Sequence, residues 1–111
     1  MDGISRGDVV TIALQGDYGK PRPALVIQAD LFNPTHPTLT ILPITSNLHD
    51  APLFRLTVDP TPSNSLRKVS QIMVDKPMTV QREKIGQRVG RVDRETLVRV
   101  DRVLMVWLGI G

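Results

Sequence analysis

Short runs of β-branched and aliphatic residues fill most of the chain, and one stretch near the end follows a different period. Residues 8–14 are rich in Val, Ile and Thr and stop at a Gly, Asp and Pro cluster, which predicts a first strand and a loop. Residues 24–28 are almost continuously apolar, the pattern of a central strand buried on both faces, and the Asn33-Pro34 and His36-Pro37 pairs close it. Residues 38–45 alternate as a third strand, in which Pro43 requires an edge or a bulge because it has no N–H to donate. Residues 54–58 and 69–74 read as strands four and five, separated by a Pro, Ser and Asn loop. Residues 78–80 form a short piece leading to a helical turn at 82–85, and 87–92 is a candidate sixth strand at an edge.

The final stretch has a helical period. Leu97, Val100, Val103, Leu104, Trp107 and Leu108 fall on one side, with Arg99 and Arg102 opposite. Asp93 is placed to cap its N-terminus, Glu95 suits the positive end of the helix dipole, and Gly109 and Gly111 end it. Trp107 reads as a core residue of the stripe, whereas Val98, Met105 and Val106 lie off it and leave apolar helix surface over. Short curved strands followed by one amphipathic helix describe a mostly β fold, a small and partly open barrel with a C-terminal helix packed on it.

Composition narrows the class. The chain has 111 residues, 41% hydrophobic and 23% charged, without repeats or low-complexity tracts, and 1–111 is expected to be a single domain. Nine Pro and eight Gly fall between the strands, as a β fold requires. There is no Cys, so disulfides, thiolate nucleophiles and Cys-based zinc sites are excluded. The longest apolar run, residues 103–110, is far short of the roughly 20 needed for a membrane span, so no membrane role is expected. Asp2 stands where a secretory signal carries positive charge, and a cytoplasmic location is the expectation. The net charge of +3, weighted toward the C-terminal half, suits a polyanionic partner without requiring one.

His36 and His49 lie in loops with no second ligand at metal spacing, and phosphate-loop, dinucleotide and nucleophile-elbow patterns are missing. Neither a metal nor a cofactor is expected. Two segments place polar groups at the end of an apolar strand. Arg22 stands between Pro21 and Pro23 at the entrance to the most buried strand, as a solvated strand end or as part of a site. Thr45, Ser46 and Asn47 cluster where strand three stops, as a self-bonded turn or as phosphate-binding groups.

Together with Arg6-Gly7-Asp8-Val9-Val10, the segments from Lys20 to Gln28 and from Pro43 to Asn47 resemble the MazF/PemK family of toxin-antitoxin endoribonucleases in residues, order and spacing. The stretch from Val74 to Val80 is similar to that family's Asp-Gln-x-x-Thr-Val segment, and Ile85-Gly86 through Asp93 to its C-terminal end, so the resemblance covers almost the whole chain. It implies an SH3-like barrel of the CcdB/PemK type, a homodimer, and metal-independent cleavage of single-stranded RNA to a 2′,3′-cyclic phosphate and a 5′-hydroxyl, blocked by a cognate antitoxin. By position, the resemblance makes Arg22 and Thr45 catalytic, with Lys20, Ser46, Asn47, Asp75 and Lys76 as RNA-binding or supporting residues. The chemistry suits them: the ribose 2′-hydroxyl is the nucleophile, Arg22 can fork onto phosphoryl oxygens, and Thr45 with the N–H groups of Ser46 and Asn47 can donate to the same oxygens. An Arg is a charge stabiliser and proton donor rather than a base, so the base is unassigned.

The chain departs from the family in having Met73 and Val74 where a basic residue is common and Lys76 where Gln is common. Two alternatives stand beside the resemblance. A gyrase-inhibiting toxin of the same fold ends in Trp-Gly-Ile, which Leu108 interrupts here. A non-catalytic SH3-like binding module needs an aromatic groove, and Tyr18, Phe32, Phe54 and Trp107 are few for one.

Overall fold

The computed structural model describes residues 3–13 and 20–111, so Leu14 and the loop before Lys20 lie outside the described residues. In chain order the elements are β1 (Asp8–Ile12), β2 (Arg22–Val26), β3 (Thr38–Thr45), β4 (Arg55–Val58), β5 (Ser70–Met73), β6 (Met78–Gln81), a 3-10 turn (Arg82–Lys84), β7 (Ile85–Arg91) and α1 (Arg94–Leu108). The strands run in the order β4-β5-β3-β2-β1-β7, all antiparallel, with β6 attached to β3. The sheet is curved but not closed, since β4 and β7 do not pair. This agrees with the partly open barrel expected, and the gap is bridged by a loop: Arg91 N–H donates to Ser63 O at 2.7 Å and Ser65 Oγ to Val89 O.

β3 is the hinge of the architecture. Its first half, Thr38 to Ile41, pairs with β6, and its last two residues, Ile44 and Thr45, pair with β5. Pro43 stands in the gap between those two partners while registered with Ala24 of β2 on its other edge, which is how a proline sits inside the sheet. β6 was legible only as a short piece because four residues after Pro77 show too little alternation to declare a strand.

The central strands bury both faces, as their continuous apolar runs predict. Val9, Leu25, Leu42, Ile44, Ile72 and Val100 belong to one core, on which α1 packs through Leu97, Val103 and Leu104. Val10, Ile12, Val26, Leu39, Ile41 and Val80 form a second core on the other face. Asp93 caps α1 by accepting the Thr96 N–H at 2.7 Å, and Gly109, at φ +69°, supplies the left-handed residue that ends it. The hydrogen bonds to Thr96 hold the Asp93 carboxyl below its usual value of 3.8. The helix outruns the sheet. Trp107 is 49% exposed and Leu108 52%, so Trp107 is not the core residue that its place in the stripe predicts; its ring lies against Phe54, with centroids 5.8 Å apart.

Candidate active site

The β2–β3 register pairs Ala24 with Pro43, Leu25 with Leu42 and Val26 with Ile41. Carried two residues further, the same register sets Arg22 opposite Thr45. β2 begins at Arg22, two residues earlier than its apolar run suggests, so Arg22 belongs to the strand and is registered with Ile12 of β1. Both Arg22 and Thr45 open into one cavity of about 780 Å³, which Lys20, Ser46 and Asn47 also line. Five of the seven residues singled out from the sequence thus come together.

The turn after β3 is more tightly built than its composition suggests. Thr45 Oγ1 accepts the Asn47 N–H at 3.1 Å, so that amide is committed to the turn and the hydroxyl proton of Thr45 is left to donate elsewhere. This amends the expectation that both following amides face a ligand. From below, Arg55 Nη1 donates to Asn47 O at 3.0 Å and to Gln71 Oε1 at 3.1 Å. Gln71 is buried and registered with Thr45 across the β3–β5 ladder. Its Oε1 also accepts the His49 N–H, and its Nε2 donates to His49 O and to Thr57 Oγ1. A buried amide with its bonding capacity filled locks the segment it touches, and here that segment is the one that follows Thr45. Single-strand patterning shows Gln71 only as a polar residue in an apolar run; its inward aim is a tertiary fact.

The loop between β4 and β5 brings Arg67 and Lys68 to the same cavity. Sequence patterning left them in a stretch read only as a loop; the signal available was the clustering of basic residues in the second half of the chain. Asp75 and Lys76 do not line this cavity. Lys76 Nζ lies 3.5 Å from Asp75 Oδ2, and the Lys76 N–H donates to Met73 O, closing the turn between β5 and β6. Asp75 Oδ1 is buried without a hydrogen-bond partner among the described residues. Among the described residues no three His, Asp or Glu side chains gather as a metal site.

Residues 5–108 match the family described as PemK-like, MazF-like toxin of type II toxin-antitoxin system. The chain belongs to this family. It is 48% identical over 109 residues to the probable endoribonuclease MazF of Mycolicibacterium smegmatis, covering 97% of this chain and 99% of that one. Identity to endoribonuclease EndoA of Bacillus subtilis is 26% over 111 residues, covering 96% of each. The fold superposes with a TM-score of 0.82 on a mycobacterial endoribonuclease solved in complex with its cognate antitoxin, at 18% identity and 98% coverage of both chains.

In this MazF-like chain the Arg6-Gly7-Asp8 motif is architectural. Asp8 is fully buried; its Oδ1 meets Arg91 Nη1 at 2.8 Å, and its Oδ2 meets Arg88 Nε at 3.0 Å and accepts the Ser5 N–H at 2.8 Å. Gly7, at φ +97°, donates its N–H to Val26 O and accepts that of Val92, with Leu97 against its Cα. Arg6 pins the same segment to the helix through Asp101 at 2.6 Å. The MazF-like frame is therefore tied together by these pairs, none of which lies among the described lining of the cavity.

Proposed function

We propose that this toxin cuts single-stranded RNA at particular sequences, without a metal, using Arg22 and Thr45. The observation that carries the reading is that the register and the cavity bring those two side chains to one place. In the proposed step the ribose 2′-hydroxyl loses its proton to a base and its oxygen bonds to the adjacent phosphorus. The bond from phosphorus to the 5′-oxygen then breaks, and that oxygen takes up a proton. A 2′,3′-cyclic phosphate and a 5′-hydroxyl result. Arg22 meets the charge that builds on the phosphoryl oxygens with its planar fork, and the Thr45 hydroxyl donates to the same group. The protein holds the reacting atoms in line and stabilises charge, which the RNA's own nucleophile leaves as the main work to be done.

The chain acts as one domain and as a homodimer in the cytoplasm. Val98, Met105, Val106, Trp107 and Leu108 are exposed on α1, an apolar strip that a twofold partner would cover. The cognate antitoxin, through an acidic segment, competes with RNA for the basic cavity, and its inhibition weakens as salt rises. The test is cleavage of a defined RNA in EDTA with end analysis. Cyclic phosphate and 5′-hydroxyl ends are expected; loss of activity in EDTA or 5′-phosphate ends would overturn the mechanism. Light scattering at micromolar concentration is expected to give a dimer.

A further inference from the structure

The cavity carries more positive charge than the proposed cleavage step uses. That step places one phosphodiester, with one negative charge, at Arg22 and Thr45. Arg67 and Lys68 line the same cavity from another element, the loop between β4 and β5, and no Asp or Glu is among the described lining residues. Neither Arg67 nor Lys68 forms an ion pair among the described residues.

The loop beneath them is built as a platform. Asn64 is 3% exposed; its Oδ1 accepts the N–H groups of Thr61 and Leu66, and its Nδ2 donates to Asp59 O. Thr61 Oγ1 accepts the Asn64 N–H at 3.1 Å. Gly90 of β7 lies so close that a Cβ there would sit 2.5 Å from Ser63 O, and only a glycine allows that approach. Ser65, immediately before the basic pair in the chain apart from Leu66, is held at φ +58°, a conformation that a non-glycine residue keeps only where its surroundings impose it. A loop tied down in this way sets where the backbone carries Arg67 and Lys68, whose side chains are exposed.

We propose that Arg67 and Lys68 form a second phosphate subsite, which takes a backbone phosphate adjacent to the scissile one on the same RNA strand. Such a groove of cations tracking the backbone binds without regard to base identity, so it adds affinity and aligns the strand at Arg22 and Thr45. This inference rests on the reading that RNA occupies the cavity.

The test uses short oligonucleotides carrying 2′-deoxy sugars, which lack the nucleophile and stay intact, with one, two or three phosphates. Dissociation constants are measured against salt for the wild type and for an Arg67→Gln/Lys68→Gln double variant, with thermal melting to verify folding. For the wild type, the slope of log affinity against log salt should steepen by about 0.7 on adding the second phosphate, the single-strand value per phosphate neutralised. In the double variant that step should vanish, while binding of the one-phosphate ligand changes little. Equal weakening of the one-phosphate and longer ligands would overturn the subsite by assigning the pair to the scissile position. Unchanged binding throughout would overturn it by showing the pair idle. Cleavage of an all-ribose RNA by Arg22→Ala in parallel keeps the two ideas apart: full cleavage removes the catalytic reading whatever the phosphate count shows.

Discussion

Asp8 and Arg22 stand on paired strands of one sheet, in motifs equally prominent in the sequence, and the structure sets them in opposite surroundings. Asp8 is fully buried, with two arginines and a backbone amide around its carboxylate. Arg22 is exposed on a cavity shared with Thr45. A buried charge must be paired where it sits, so its partners are part of the fold and its removal is felt by the whole molecule. A charge on an exposed cavity wall stays in contact with solvent, so its removal weighs less on the fold. Burial thus marks Asp8 as architectural, and on the proposed function activity and stability separate between the two regions.

Substitutions can break that separation. Thr45→Ala is expected to lower RNA cleavage about a hundredfold, the usual cost of one lost donor to a developing oxyanion, with a fall in stability of no more than about 1 kcal/mol from the lost bond to the Asn47 N–H. Thr45→Ser, which keeps the hydroxyl, is expected to recover most of the rate. At the other pole, Asp8→Ala strands Arg88 and Arg91 and opens a buried site, and denaturant titration should show a loss of about 3 kcal/mol. Its cleavage rate per folded molecule should match the wild type; a specific rate that falls with Asp8 would erase the contrast. Gln71→Leu lies between the poles, because Gln71 is both buried and registered with Thr45. It is expected to cost about 1–3 kcal/mol through unpaired groups around it and to lower kcat more than it raises KM as the Thr45 turn loosens.

The smallest effect concerns acid. Thr96 holds the Asp93 carboxyl below 3.8 in the folded protein, and the unfolded chain has no such bond. The folded state therefore binds this proton more weakly than the unfolded one. The cap's contribution is present above the unfolded value and is lost as pH falls through the folded one. Melting followed by circular dichroism should show Asp93→Ala below the wild type at pH 7, with the gap closing toward pH 2. A gap that persists there would place the effect of Asp93 outside its charge.

The strands and the helix were legible because their apolar periods are local, and the same is true of the Asp93 cap and the Gly109 stop. Arg22 and Thr45 were legible as strand ends, and their meeting follows from the register of two strands whose apolar runs are plain. What escaped was set by tertiary placement. Trp107 shares the period of Val100, yet the sheet ends before the helix does and leaves it half exposed. Asp75 and Arg67 are both loop residues in the sequence, but the β5–β6 turn folds away from the cavity and the β4–β5 loop folds over it. The pattern of short strands pointed to a partly open barrel but not to where it opens: the gap lies between β4 and β7, where a hydrogen-bonded loop, rather than a strand, crosses it.

The account rests on Arg22 as a group whose loss removes chemistry without touching the fold. Single-turnover cleavage of a defined RNA by Arg22→Ala, measured beside its melting curve, tests this most directly. The expected result is a rate lower by about a hundredfold or more at an unchanged melting temperature. Cleavage near the wild-type rate would contradict the account, as would a loss that merely follows a fall in melting temperature.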